Sequence, residues 1–169
     1  VNDIHADAEF VIFAGDLADH GDAAAYARFK TAIAPLKPKT LLTLGNHDNR
    51  PTFLENFPGT DNPDTGCLDH VIDAGGHRTI VLDSSDPELR GSGRLTQAQL
   101  DWLSARLAEA PDTPVVIVLH HNITAFNVQT DFIILEDNAT FASIVRSHKD
   151  VRQIISGHVH MTTAGTFHG

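Results

Sequence analysis

A single cysteine, Cys67, in 169 residues excludes an internal disulfide framework and a thiolate zinc cluster. Basic residues are scarce as well. Against 22 Asp and Glu stand 12 Lys and Arg, a net charge of −10, which disfavours nucleic-acid binding driven by bulk positive charge. No apolar run approaches the ~18 residues of a membrane-crossing helix. No internal repeat, low-complexity tract or linker-like Pro/Ser run divides the chain. It therefore reads as one domain, residues 1–169, long enough to bury roughly two thirds of its unfolded surface. The first residue is Val1 rather than Met, and the chain is expected to be truncated at both ends. What is abundant is histidine: 11 in an acidic chain make metal chemistry the first class to test.

Apolar runs of strand length alternate with helical patterns, which argues for α/β architecture. Strands are expected at Phe10–Ala14, Thr40–Leu44, Val115–Leu119 and Val151–Ile155. Their Val, Ile and Leu content without polar alternation suits strands buried on both faces. A helix fits between the first two, with Tyr26, Phe29 and Ile33 on one face. A second starts at Thr96, where Thr96 and Gln99 make a capping-box pair ahead of Leu100, Leu103 and Leu107, and Pro111 ends it. A third places Phe141, Ile144, Val145 and His148 on one stripe. Leu68–Asp73 and Arg78–Leu82 flank Gly75-Gly76 and read as a hairpin, hence an antiparallel part of a sheet.

The chemistry-bearing residues follow the expected strands by one to three positions. Gly15-Asp16-Leu17-Ala18-Asp19 follows the first, and Gly45-Asn46-His47-Asp48 the second. His120 and His121 follow Leu119, and Gly157-His158-Val159-His160 follows Ile155. Open α/β sheets bind ligands at the carboxyl ends of their strands, so these four clusters are expected to converge. A carboxylate, an amide oxygen and imidazoles form an N/O set suited to Mn, Fe, Co or Zn rather than to calcium. A carboxylate such as Asp16 can bridge two cations, and two metals ~3.5–4 Å apart would clamp an in-line phosphoryl displacement.

Taken in order and spacing, these motifs resemble those of the calcineurin-like metallophosphoesterases. The matching pieces are Gly15-Asp16-x-x-Asp19, Gly45-Asn46-His47-Asp48, His120 after an apolar strand, and Gly157-His158-x-His160. The gap of 30 positions from Asp16 to Asn46 is most similar to class III cyclic-nucleotide phosphodiesterases and the related glycerophosphodiesterases. The resemblance implies a four-layer α/β/β/α sandwich holding two divalent metal ions. It makes Asp16 the bridging ligand and His160 a ligand of one metal. It assigns Asn46, His120 and His158 to the other. His47 would face the phosphate or leaving group as a hydrogen-bond or proton donor, oriented by Asp19, and metal-bound hydroxide would be the nucleophile. The implied substrate is a small phosphodiester, a cyclic nucleotide or a glycerophosphodiester. A phosphomonoesterase or a non-catalytic scaffold of the same fold are the alternatives. No nucleic-acid polymer or membrane partner is expected, homo-oligomerisation is left open, and a cytoplasmic location is the default.

The family's first strand carries Asp-x-His. Here the one Asp-x-His is Asp3-Ile4-His5, with no apolar strand before it and too few residues after it for a parallel crossover of ~10–12 residues. Val1–Ile4 is read instead as the end of a helix leading into the first strand, and the true first strand is expected upstream of this sequence. The resemblance also implies further C-terminal strands with a substrate-contacting histidine, for which His168 comes too early. Other features read as structural. His121 is expected either to pack behind the site or to be a plain neighbour of it, and Asp48 to brace its turn or act in chemistry. Cys67 reads as a buried filler, and Asp83-Ser84-Ser85-Asp86 as a loop without the strand–turn–helix elbow of a serine nucleophile. Gly91-Ser92-Gly93 lacks the spacing of a phosphate loop. Asn122 and Asn138 lie in glycosylation sequons, with Asn122 too near the site to be modified. His20, His70, His77 and His148 carry no motif. The segment Asn122–Asp137 is expected to wall the pocket, with Asn127, Gln129 and Asp131 unassigned.

Overall fold

The computed structural model describes residues 1–166. Along the chain run β1 (Phe10–Ala14), α1 (Ala23–Ile33), β2 (Lys39–Thr43), α2 (Arg50–Asn56), β3 (His70–Ala74), β4 (His77–Leu82), α3 (Gln97–Ala108), β5 (Val115–Leu119), α4 (Asn138–Arg146) and β6 (Val151–Ile155). β1 and β2 pair in parallel as one small sheet. β3-β4-β5-β6 form a second, antiparallel between β3 and β4 and parallel thereafter.

Side-chain alternation along each strand decides the layering. On β4 and β5, Ile80, Leu82, Val115, Ile117 and Leu119 pack under α3 and α4, against Leu100, Leu103, Phe141 and Val145. Their neighbours Val81 and Val118 point the other way and meet Leu41 of β2 and Ile12 of β1, which makes the seam between the sheets. The far side of β1 and β2, through Phe13 and Leu42, packs on Tyr26, Phe29 and Phe53 of α1 and α2. The result is helices, sheet, sheet, helices. Two polar side chains also lock the sheets together: Thr43 Oγ1 donates to Leu82 O at 3.0 Å, and His70 Nε2 to Leu42 O at 3.0 Å.

The helix starts follow local rules. Asp22 caps α1 by accepting from Ala25 N at 2.8 Å, and the Thr96/Gln99 capping box closes in both directions at α3. Gln99 goes further, donating from Nε2 to the buried Asp69 carboxylate and to Asp83 O. α2 lies outside the sequence reading. Its seven residues are too short for a periodic stripe, although Asn49 as N-cap with Pro51 in the first turn is a legible start signal. β2 begins one residue earlier than expected, at Lys39. α4 ends at Arg146, so His148 lies beyond it, buried and donating to Ala110 O at 2.9 Å.

One expectation is overturned. Val1–Ile4 is not the end of a helix but part of a run of isolated turns over residues 1–8, with His5 N bonded to Val1 O at 2.7 Å. A single turn fixes several dihedrals for one bond and does not propagate without an apolar face to bury. The segment is tied down by Asn2, which donates to Pro35 O and accepts from Lys37 N.

Cys67 is 5% exposed, and burial pushes its thiol up from 9.0 to about 12. The native protein is therefore expected to resist Ellman's reagent at pH 8 and to react only as fast as it unfolds, because the thiolate is the reactive species. Immediate stoichiometric labelling without denaturant would show that the Leu68–Arg50 side of the fold is open.

Candidate metal centre

Two parallel strand pairs in different sheets point their C-terminal ends at one place. His120, just past β5, donates from Nδ1 to Ala14 O at the end of β1, 2.8 Å away, and so stitches the sheets together there. That bond leaves the Nε2 lone pair facing outward. Around it stand Asp16 Oδ2 at 3.3 Å, Asn46 Oδ1 at 3.2 Å and His158 Nδ1 at 3.2 Å. His158 is oriented in the same manner, its Nε2 donating to Ile133 O at 2.9 Å, so its Nδ1 also presents a lone pair. Four electron-rich atoms from four loops thus crowd together, an arrangement that repels itself unless a proton or a cation lies among them. The donors are one carboxylate, one amide and two imidazoles, which suits a divalent transition metal.

The electrostatics agree. Burial raises Asp16, but the adjoining His120 ring, helped by the His47 N–H, outweighs it and holds the carboxyl down at about 2. Burial pushes His158 below the ordinary imidazole range, with His120 adding to the effect. Asp16 is thus an anion and His158 a neutral imidazole near neutral pH. Three of the residues singled out from sequence hold left-handed backbone, Asp16 at φ 53°, His158 at 67° and His160 at 54°. Non-glycine residues rarely adopt it, and such strain concentrates where side chains are aimed for a purpose.

Asp48 proves to be a brace. Its carboxylate accepts from Leu17 N, Ala18 N, Gly45 N and the Tyr26 hydroxyl at 2.9–3.1 Å, binding the loop after β1 to the loop after β2. Burial raises its pKa even so, against the lowering from those four donors. Tyr26 in turn accepts from Asn49 N at 2.8 Å and steadies the start of α2. Gly45 has no room for a side chain: a Cβ there would lie 2.2 Å from Asp16 Oδ1 and 2.8 Å from His120 Cε1.

His121 lies closer to the centre than its sequence context indicates. It is fully buried, edge-on to His120 and tilted against His158, with ring centroids 5.0 and 4.8 Å away. Its Nδ1 meets Ser84 Oγ at 2.8 Å, while Nε2 has no hydrogen-bond partner. One nitrogen from each of His120, His121 and His158 lies within 4.8 Å of the other two. Burial, with His120 and His158 nearby, depresses it to about 3, so it stays neutral. The sequence signal is Gly93, where a Cβ would stand 2.4 Å from His121 Nδ1. Next to it, Asn122 is fully buried with both amide atoms unpartnered, which agrees with an unmodified sequon.

Other candidates lie further out. His47 Nδ1 donates to Asp19 O at 2.8 Å and lies 3.3 Å from Asp19 Oδ1, but their side chains are 41% and 80% exposed. Asp19 thus holds His47 mainly through its backbone. His160 is exposed, and no hydrogen bond or ion pair of it with the cluster occurs among the described residues. Asp3 and His5 are exposed and precede β1, whereas Asp16 follows it, so the strand's length of about 16 Å intervenes. Asp131 braces its own loop by accepting from Phe126 N and Val128 N. His168 lies outside the described residues.

A four-layer α/β/β/α sandwich with an Asp/Asn/His cluster where strand ends from both sheets converge defines a metallophosphoesterase-type fold. The chain belongs to the calcineurin-like phosphoesterase family, whose sequence model matches residues 1–162. It is 37% identical to a probable cyclic nucleotide phosphodiesterase of Rhodococcus erythropolis over 94% of this chain and 54% of that protein. It is 35% identical to a cAMP/cGMP dual specificity phosphodiesterase of Mycobacterium tuberculosis, over 94% and 51%. A glycerophosphodiester phosphodiesterase of Enterobacter lignolyticus is 28% identical over 96% and 60%. The chain therefore spans about half the length of the curated relatives it matches. Among solved structures, a dimetal phosphatase from Danio rerio shares the fold with a TM-score of 0.71 at 18% identity, covering 92% of this chain and 68% of that one.

Two substitutions test the geometry. Gly45→Ala is expected to cost about 1–3 kcal/mol of stability by overpacking, and to shift the ring resonances of His120 as Asp16 is pushed aside. Asp48→Ala leaves three N–H groups and a hydroxyl without an acceptor and is expected to cost about 3 kcal/mol or more. Denaturant unfolding of the metal-free chain reads both. Midpoints equal to wild type would contradict the close contacts described.

Proposed function

We propose that this chain carries the metal-binding half-site of a phosphodiesterase acting on small phosphodiesters. The observation that carries the reading is the convergence of Asp16, Asn46, His120 and His158 through free lone pairs. Its support from kinship is that relatives covering nearly all of this chain are named for cyclic nucleotide and glycerophosphodiester hydrolysis. These four residues would hold one divalent cation, and by the family resemblance Asp16 would share a second with His160. Bound there, the metal supplies Lewis acidity for phosphoryl oxygens and acidifies water near neutral pH. Mn, Fe, Co and Zn all suit the donors.

The remaining work falls to the chain's own groups. His120 and His158 each give one nitrogen to a backbone carbonyl, which fixes their tautomers and keeps the other nitrogen free to ligate. His47 lies at the rim with Nδ1 engaged by Asp19 O, so its Nε2 is the end presented to a substrate oxygen. The Asp19 backbone bond raises His47 above the ordinary imidazole range, with Asp16 and Asp19 charge adding to it. That favours the protonated ring as a hydrogen-bond or proton donor to the departing alkoxide. An acidic protein still attracts a phosphate anion here, because bound cations dominate the local field.

Elemental analysis after Mn²⁺ loading is expected to return close to one ion per chain, since only one position has four protein donors among the described residues. A value near two would mean that other residues complete the second position. In a chain extended to the full length of its relatives, Asn46→Ala and His158→Ala are each expected to reduce metal-dependent hydrolysis of bis(p-nitrophenyl) phosphate to background. Activity surviving both would remove the assignment.

A further inference from the structure

The loop that carries Asn46 is fastened to the four-stranded sheet at both of its ends. Before it, Thr43 closes β2 and donates from Oγ1 to Leu82 O at 3.0 Å. After it, Arg50 opens α2. Its Nε donates to the Asp83 carboxylate at 2.8 Å, and its Nη2 to Ser85 O and Ser85 Oγ at 2.9 Å each. The two anchor points are consecutive residues, Leu82 at the end of β4 and Asp83 just beyond it.

Those anchors adjoin His120. Leu82 pairs with Leu119 in the parallel register of β4 and β5, so Asp83 and His120 stand next to each other past the two strand ends. Alternation decides which way they face. Leu82 and Leu119 pack under α3 and α4, and the residues that follow turn the opposite way, to the two-stranded sheet. There Asp83 meets Arg50, and His120 meets Ala14 O. Asp48 does not make this link, because its donors come from the loops after β1 and β2 and from α1.

Asp83 is fully buried and also accepts from Leu68 N, Ser85 N and Ser85 Oγ. Arg50 is its one ion-pair partner among the described residues. Desolvating two charges offsets much of what their pairing returns, so a buried pair of this kind adds little net stability. What the forked guanidinium adds is direction. Of the four donors Asn46 depends on this most, since a neutral amide oxygen attracts a cation weakly and contributes only when held in place.

We propose that Arg50 is a positioning residue for the cation site: its fork to Asp83 and Ser85 holds the Asn46 loop so that Asn46 Oδ1 stays 3.2 Å from His120 Nε2. The proposal rests on the metal-site reading above and adds to it a residue that touches neither cation nor substrate.

Arg50→Met alone would strand a buried carboxylate, so it is combined with Asp83→Asn, which removes both charges. In the metal-free chain this double variant is expected to keep the wild-type unfolding midpoint. It is expected to lose the nuclear Overhauser contact between the Asn46 side-chain amide and the His120 ring. Calorimetric titration with Mn²⁺ is expected to give an affinity at least ~10-fold below wild type. Asn46→Ala costs the wild type a similar factor but lowers the double variant by no more than ~3-fold further, because both changes act through one amide. Arg50→Lys, which keeps the charge beside Asp83 without the fork, guards against a folding defect and loses part of the affinity at an unchanged midpoint. Wild-type Mn²⁺ affinity in the folded variants, or an Asn46→Ala loss as large in the double variant as in the wild type, overturns the positioning role while the metal site stands. If the wild type takes up no Mn²⁺, the metal-site reading falls and the amide–ring contact decides alone. Lost in the variants, it upholds the tie; kept, it overturns that as well.

Discussion

The Asp48 carboxylate is the joint on which the site depends. Two loops after neighbouring parallel strands have no backbone ladder to hold them together. Asp48 replaces that ladder by accepting from Leu17 N and Ala18 N of one loop and Gly45 N of the other, while Tyr26 fastens the same carboxylate to α1. Asp16 and Asn46 are each within three residues of an atom so held. Burial makes the anion unfavourable, as its raised pKa records, and the hydrogen bonds offset much of that cost. A negative charge is thus retained where charge of one sign is already concentrated, and the whole group is prepared for a cation.

The second joint crosses between sheets. His120 belongs to the four-stranded sheet but bonds to Ala14 of the two-stranded one, so the seam of Leu41, Val81, Val118 and Ile12 and the metal-type cluster share a boundary. The packing beneath sets the distance between sheets, and that distance sets whether His120 meets Asp16 and Asn46. Strain in the backbone of Asp16 and His158 is tolerated because the surroundings over-determine both positions. Gly15 and Gly45 contribute by having no side chain where His120 and Asp16 must pass.

Much of the fold was legible from pattern. β1, β5 and β6 begin and end where their apolar runs do, and the Thr96/Gln99 box marks the start of α3. Local rules of period and capping suffice there because neighbouring residues enforce them. The misses have equally local causes. α2 is too short to show a period, and the first residues make turns because one hydrogen-bonded turn does not extend itself. At the site, the four strand-end motifs were visible as polar interruptions after apolar runs. Nothing in the residue order separated Asp48 the brace from Asp16 the crowded anion, or showed that His121 turns back against His120 and His158.

Residue types and their order by themselves determined the class of chemistry. A carboxylate, an amide and imidazoles placed after strands suit a hard-to-borderline divalent cation wherever those strands end. They also determined the α/β alternation, since buried parallel strands must be continuously apolar. Only the tertiary structure decided which donors meet: His120, Asp16, Asn46 and His158 closely, His160 and Asp19 at the exposed margin. The reason is physical. Ligand chemistry is a property of single side chains, whereas convergence depends on the spacing between two sheets, set by dozens of apolar contacts distant in the chain.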